Sequence, residues 1–283
     1  MQFSSWLDER FVHDVKARNQ EVEAACFAYF DKLDVIHIMD VGSGTGSTFL
    51  ALYHKIAMDQ NWTFLEQDSS LIEHSIQRIC KELEQEGYAI NKADAKIIFT
   101  KGSKTIALKT INDSLLNIEQ YISDGSINLV TASAIFDLFS IDQYIKFDRI
   151  VRQDGCSILS VLNYTGMAFD PIQEGDDTCI DLYHGHMLRS QHFGIGMGPN
   201  CHRDIQQYYS DINANYCEGK SIWHLEPEAK AMHSFILEYM ETAISEMPGR
   251  PDYFEDWLSA KRRSSNQTAL AIRVDHFDYF VTP

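Results

Sequence analysis

The chain has 283 residues, enough for one large domain or one domain with a substantial insertion. Its 24 basic and 41 acidic residues give a net charge of −17, which repels phosphate backbones and speaks against DNA or RNA as substrate. With 45% hydrophobic and 23% charged residues it has the composition of a globular protein, and no apolar run approaches the roughly 20 residues that span a bilayer.

Trp6 to Leu33 is expected to form one helix, with Phe11, Val15, Val22, Cys26 and Phe30 near one face. Arg10, Asp14 and Arg18 follow at helical spacing as a charged stripe. The stripe reads either as a solvated salt-bridge row or as part of a lid whose arginine grips a carboxylate. Ile36 to Val41 is an apolar strand running through Asp40. Gly42, Ser43, Gly44, Thr45 and Gly46 then form a tight bend, and a helix is expected from Phe49 to Met58. Glycine is needed where the backbone takes positive φ or where a ligand touches the main chain. The bend is therefore a seat for a polar, nucleotide-like ligand, or else a strand-to-helix turn with no ligand.

Trp62 to Glu66 reads as a second strand, and Asp68 caps a helix from Ser70 to Gln85. Glu66, with Gln67 beside it, stands where doubly wound folds bind ribose hydroxyls. Lys96 to Lys101 and Thr105 to Thr110 read as a hairpin around Gly102-Ser103, whose second arm is a candidate third parallel strand ending at Asn112-Asp113. A helix from Ser114 to Ser123 follows. Ile127 to Ala134 is the fourth strand, with Ala132, Ser133 and Ala134 at its ligand-facing end. Asp137 either caps the helix from Ile141 to Arg152 or faces the reacting group. Cys156 to Tyr164 is the fifth strand, ending in Asn163 and Tyr164. Met167 to Lys220 leaves the strand–helix alternation and is rich in polar and aromatic residues, including Tyr183, His184, His186, His192 and Phe193. It reads as a substrate lid over the strand ends, where α/β sheets bind ligands. Ser221 to Leu225, helices from Pro227 to Met247 and Tyr253 to Arg263, and a last strand from Thr268 to Val281 complete the chain. Lys261-Arg262-Arg263 reads as a solvated helix face.

The common dinucleotide motif G-x-G-x-x-G would put its third glycine at Ser47. The chain instead has Asp40-x-Gly42-x-Gly44-x-Gly46, and with it resembles the class I S-adenosylmethionine-dependent methyltransferases. The resemblance runs along the whole chain to a bacterial group of that class with no assigned substrate. It is carried by Trp6-Leu7, Arg10, Asp14, Ala17-Arg18, Trp62-Thr63, Leu129 to Ala134, Asp137-Leu138, Tyr164-Thr165-Gly166, His186, Phe193-Gly194 and Met197-Gly198-Pro199. Met187 and His192 depart from the group's lid pattern, and Asn128 stands where the family has Asp.

This resemblance implies an α/β, three-layer, doubly wound seven-stranded sheet of order 3-2-1-4-5-7-6, last strand antiparallel. The fold is Rossmann-like, in a single methyltransferase domain: an N-terminal lid helix (1–33), a cofactor-binding core (34–166), a lid insertion (167–220) and the end of the sheet (221–283). It implies S-adenosylmethionine as cofactor and S-adenosylhomocysteine as product. The cofactor would be held by Asp40, Gly42, Ser43, Gly44, Thr45, Gly46, Glu66, Gln67, Ala132, Ser133 and Ala134. Asn112 and Asp113 would hold the adenine amino group, or cap the next helix, or both. Trp6, Arg10, Arg18, Asp137, Asn163, Tyr164, Tyr183, His184 and Phe193 are the candidate substrate-binding residues.

Methyl transfer is an in-line displacement, for which a protein mainly supplies proximity and orientation. A base is needed only for a protonated oxygen or nitrogen acceptor. His186 is the first candidate, because imidazole titrates near neutrality; His184 and His192 stand behind it. The expected function is methyl transfer to a small-molecule acceptor through O, N or S. The alternatives are an NAD(P)-dependent oxidoreductase, which Asp40 and Ser47 disfavour, and a non-catalytic S-adenosylmethionine-binding protein. A zinc-assisted variant would draw on His184 and His186 with Cys179, Cys201 and His202, but no metal is the expectation. The six cysteines form no C-x-x-C pair and the N-terminus has no signal-peptide character, so a cytoplasmic protein with reduced thiols is expected. No membrane or nucleic-acid partner is expected, and the oligomeric state is open.

Overall fold

A computed structural model of the protein describes residues 3–93, 96–123, 125–191 and 193–283. Two helices open it, α1 (Phe3–Ala17) and α2 (Gln20–Tyr29), in place of the single helix expected over 6–33. The break falls at Asn19, whose side chain caps α2 by accepting from the Glu21 and Val22 amides. A capping residue in extended backbone ends one helix and starts the next.

Next come β1 (Val35–Val41), α3 (Ser47–Leu52), β2 (Asp59–Glu66) and α4 (Ser69–Gln85). α3 stops well before Met58, because the chain turns so that the buried Gln60 amide donates to the Tyr53 and Ile56 carbonyls. The hairpin β3 (Ala89–Ala93) and β4 (Lys96–Lys101) precedes β5 (Lys104–Asn112). α5 (Glu119–Ile122), β6 (Leu129–Ser133), α6 (Ile141–Gln153) and β7 (Ser157–Asp170) follow. Beyond β7 lie α7 (Asp176–Met187), the short strands β8 (Ser190–Gln191) and β9 (Gly194–Ile195), and α8 (Cys201–Asp211). β10 (Tyr216–Leu225), α9 (Lys230–Ser245), α10 (Phe254–Asn266) and β11 (Ala271–Val281) close the chain.

The main sheet has nine strands, in the order β10-β11-β7-β6-β1-β2-β5-β4-β3, where seven were expected. The added pair is the β3–β4 hairpin, antiparallel on β5 at one edge. Its first arm, Ala-Ile-Asn-Lys-Ala, has little apolar alternation to mark it as a strand. The other seven run β5-β2-β1-β6-β7-β11-β10, and β11 is antiparallel to both neighbours. Val22, Phe49, Ile79, Met240 and Leu258 pack on one face of the sheet with Ile38 and Phe64. Ile122, Phe147 and Ile205 pack on the other with Met39 and Val41. The result is a Rossmann-like three-layer α/β fold. β1 sits between β2 and β6, where the helices change face, and this reversal opens the crevice in which such sheets bind ligands.

Two buried carboxylates fasten the helices that flank this crevice. Asp278 on β11 accepts from the Leu162 amide at 2.7 Å, the Asn19 amide at 2.7 Å and the Ser221 hydroxyl. It thereby joins β7, β10 and the α1–α2 break. Asp176 accepts from Lys261 Nζ and Trp257 Nε1, each at 2.8 Å, and binds α7 to α10. Lys261 is therefore fully buried and not part of a solvated face; only Arg262 and Arg263 are exposed. Among the described residues no helix is long and apolar enough to cross a membrane.

Asp278→Ala strands three donors in the interior. It is expected to lower the unfolding free energy by roughly 3 kcal/mol or more, at about 1–3 kcal/mol per stranded group. Urea denaturation measures this, and a midpoint equal to wild type would contradict the joining role.

Candidate functional site

The bend after β1 takes the left-handed region at all three glycines, with φ of 59° at Gly42, 53° at Gly44 and 78° at Gly46. Space excludes side chains there as well. A Cβ on Gly42 would lie 2.4 Å from Ile135 Cδ1, and one on Gly46 would lie 2.8 Å from Ile79 Cδ1. Helix α1 crosses the bend, bringing Leu7 against Gly44.

Two carboxylates converge on this bend. Glu66 accepts the Gly44 amide on Oε2 at 2.9 Å and the Asp68 amide on Oε1 at 3.0 Å, so it shapes the bend. Each carboxylate oxygen keeps a second acceptor site for a ligand hydroxyl. Asp40 is buried, and its Oδ1 accepts from Thr131 Oγ1 at 2.7 Å. Its Oδ2 has no hydrogen-bond partner among the described residues. Burial raises its pKa to about 7; the Thr131 bond, the Arg18 charge and the nearby Thr48 hydroxyl oppose the rise.

Arg18, at the α1–α2 break, is 5% exposed. Its Nε donates to Glu23 Oε1, and Lys55 Nζ holds the other Glu23 oxygen at 2.6 Å. Burial alone would raise the Glu23 carboxyl, but these two cations outweigh it and lower the pKa. Arg18 Nη2 is buried with no partner among the described residues, as is Ser43 Oγ in the bend. Unsatisfied buried groups are rare in native folds and mark places built to receive something. The Arg18 charge reaches Asp40, so the two groups lie within each other's field.

Arg78 on α4, a residue with no distinguishing sequence pattern, links bend and lid. Its Nη1 donates to Thr45 Oγ1 at 3.0 Å and Ser47 Oγ at 3.3 Å, and pairs with Asp8 of α1 at 3.0 Å. Its guanidinium also lies 4.5 Å over the Phe11 ring.

A second group of residues gathers beyond the end of β6. Asp137 lies in the short turn Phe136–Leu138 and does not cap α6, a role taken by Ser140, which accepts from the Gln143 amide. Asp137 is buried, its Oδ1 has no partner among the described residues, and burial raises its pKa to about 6. The Arg10 charge and the Tyr164 amide oppose that rise, and Asp137 in turn helps raise Tyr183. Arg10 Nε binds both Asp14 oxygens, and its guanidinium lies 5.0 Å from the Trp223 ring centroid and 5.8 Å from that of Trp6. Tyr164 Oη meets His184 Nε2 at 2.9 Å, and burial lowers the His184 pKa. His276, packed near Tyr164 and Trp223, is pushed down to about 3 by burial and is neutral.

Other expected site residues are placed differently. His186 is not in this group: its Nε2 pairs with Glu246 at 3.2 Å, beside Arg189. His192 lies outside the described residues. Asn163 is fully buried and spent on Ser160 and the Phe277 carbonyl, a structural role between β7 and β11. Phe193 stacks on Phe139 with 4.6 Å between centroids. Asp113 binds the Ser114 amide, Asn117 Nδ2 and Tyr121 Oη, and Asn112 donates to the Glu66 and Gln67 carbonyls. Both therefore brace the turn after β5; Gln67 is exposed beside them. Ala132, Ser133 and Ala134 end β6, with Ala134 left-handed at φ 54° and its amide bonded to Val161. Among the described residues no three His, Cys, Asp or Glu are grouped to hold a metal ion.

No protein-family model matches the sequence, and no curated protein matches it. Among solved structures, the YcgJ protein from Bacillus subtilis is similar, at a TM-score of 0.50 and 11% identity over 93% of this chain and 99% of that one. The chain shares YcgJ's fold. Two others score 0.47. One is the cyclopropane synthase MmaA2 from Mycobacterium tuberculosis, at 10% identity over 99% of this chain and 95% of that one. The other is a SAM-dependent methyltransferase from Thiobacillus denitrificans in complex with S-adenosyl-L-homocysteine, at 11% identity over 97% and 96%.

The raised Asp40 pKa sets a pH dependence. The folded protein binds this proton more tightly than the unfolded chain, so the stability it confers is present at acid pH. It is lost as pH rises from the ordinary carboxylate range through about 7. Wild type is therefore expected to lose stability relative to Asp40→Asn over pH 4 to 7, read from denaturation midpoints. Parallel profiles for the two proteins would contradict the burial of a titrating carboxyl.

Proposed function

We propose that the chain is an S-adenosylmethionine-dependent methyltransferase acting on a small molecule. One observation carries this reading: Asp40 Oδ2 and Arg18 Nη2 are buried without a partner among the described residues, and Asp40 stands two residues before a bend of three left-handed glycines. S-Adenosylmethionine combines an ammonium, a carboxylate, a ribose and a sulfonium. Asp40 would take the ammonium, Arg18 the carboxylate, and Glu66 at the end of β2 the ribose hydroxyls. An approaching ammonium would favour the ionised form of Asp40. A dinucleotide brings a pyrophosphate and no amino-acid group, so the Asp40 carboxylate beside the bend would repel it, whereas Glu66 would serve the ribose of either ligand.

When bound, the cofactor supplies an electrophilic methyl group. The chain's own part is to position and enclose. The glycine bend and Glu66 fix the nucleoside end. α1 covers the bend through Leu7 and is tied to it by Arg78, which excludes water. The net charge of −17 favours a small acceptor over a nucleic acid.

Calorimetry with S-adenosylmethionine and with NADH tests the reading. The first is expected to bind and the second not. Asp40→Ala and Arg18→Gln should each weaken binding about 10- to 100-fold, the loss for one hydrogen bond to a charged group. Circular dichroism checks that both variants fold. NADH binding without S-adenosylmethionine binding, or unchanged affinity in both variants, would reject the assignment.

A further inference from the structure

We propose that the methyl acceptor is the amine nitrogen of a small zwitterion, with Asp137 receiving the ammonium and Arg10 its anionic group. The inference rests on the methyltransferase reading above and deepens it to a substrate class.

Asp137 follows the end of β6 by four residues and so stands at the same sheet reversal as the glycine bend. It is 7% exposed, and Oδ1 has no partner among the described residues. The groups whose fields meet it are Arg10 from α1, Tyr164 from β7, Tyr183 from α7 and Cys201 from α8. Burial holds the Tyr164 and Tyr183 hydroxyls and the Cys201 thiol protonated near neutral pH. Asp137 is therefore the group among these that can accept a proton there.

Arg10 is the opposite pole. Among the described residues its hydrogen bonds run through Nε alone, to Asp14. Trp6 and Trp223 hold the guanidinium plane from the side, and the terminal nitrogens remain for a ligand. A planar guanidinium with two free nitrogens suits a carboxylate or a similar oxyanion. A lone cation is a poor match, because Arg10 already lies against the aromatic faces that would attract it.

The acceptor atom follows from proton affinity. A thioether needs no base. An aliphatic hydroxyl ionises far above the range of any carboxyl. An ammonium is the nearest match, because burial lifts Asp137 to about 6; the pair's mutual attraction opposes the transfer, which is drawn forward as the neutral amine is consumed by C–N bond formation. The ammonium gives one proton to Asp137. The freed nitrogen lone pair forms the C–N bond to the methyl carbon as the C–S bond breaks, and that electron pair stays on sulfur as a thioether. Asp137 later returns the proton to solvent.

The test uses the full chain saturated with S-adenosylhomocysteine, titrated with glycine, β-alanine, phenylalanine and taurine. Each is compared with a probe lacking one pole: its amide or ester for the anion, its N-acetyl form for the ammonium. Methyl transfer from labelled S-adenosylmethionine is followed in parallel. At least one zwitterion should bind, and removing either pole should weaken binding tenfold or more. Asp137→Asn should keep cofactor affinity and lose turnover about 100-fold or more, the contribution of a general base. Cofactor binding without binding of any zwitterion would overturn the proposal. So would turnover by Asp137→Asn equal to wild type. Failure of S-adenosylmethionine itself to bind would remove the parent reading, and this one with it.

Discussion

A buried guanidinium is costly unless its charge is answered, and Arg18 is answered by its partner Glu23 and by the fields of Asp14, Asp40 and Asp278. Glu23 pairs with Nε, Lys55 balances Glu23, and Nη2 has no partner among the described residues. Desolvating an ion costs several kcal/mol even after relaxation. The surrounding fold must therefore hold this group firmly. It does so by ending α1 at Ala17, capping α2 with Asn19, and anchoring the Asn19 amide on Asp278 of the last strand. Residues from both ends of the chain thus meet at the same break.

That break also separates two arginines which helical spacing alone would align. Arg10 stays on α1 and turns toward Trp6, Trp223 and the field of Asp137. Arg18 lies past the end of α1, pairs with Glu23, and its charge reaches Asp40. Beyond its own ion pair, each arginine's charge reaches a second carboxylate that burial has made more basic and that has one oxygen without a partner among the described residues.

Enclosure is the second requirement. Opposed charges attract far more strongly in a dry site than in water. α1 lies over the bend and α7 beside Tyr164, and both are tied down by ion pairs, Asp8 with Arg78 and His74, and Asp176 with Lys261. The aromatic cluster of Trp6 with Trp223, Phe235 and Tyr239 packs α1 against β10 and α9.

Local features of the chain were legible without coordinates. The strand into Asp40, the left-handed glycines, the Asp68 cap and the acid ending β2 each follow from residue type and short-range spacing. Whatever depends on a distant partner was not. The residues of β3 give little periodic signal and form a strand only because β4 and β5 offer an edge. His184 faces the site while His186, half a turn on, meets Glu246, since helix rotation is set by what α7 packs against. Lys261 is buried because Asp176, far away in sequence, lies opposite it. Sequence by itself determined the glycine bend, the strands into it and beside it, and the Asp68 helix cap, because those depend on residue type and spacing over a few residues. Tertiary structure decided which charges were buried, paired or left open, because those outcomes depend on elements brought together from across the chain.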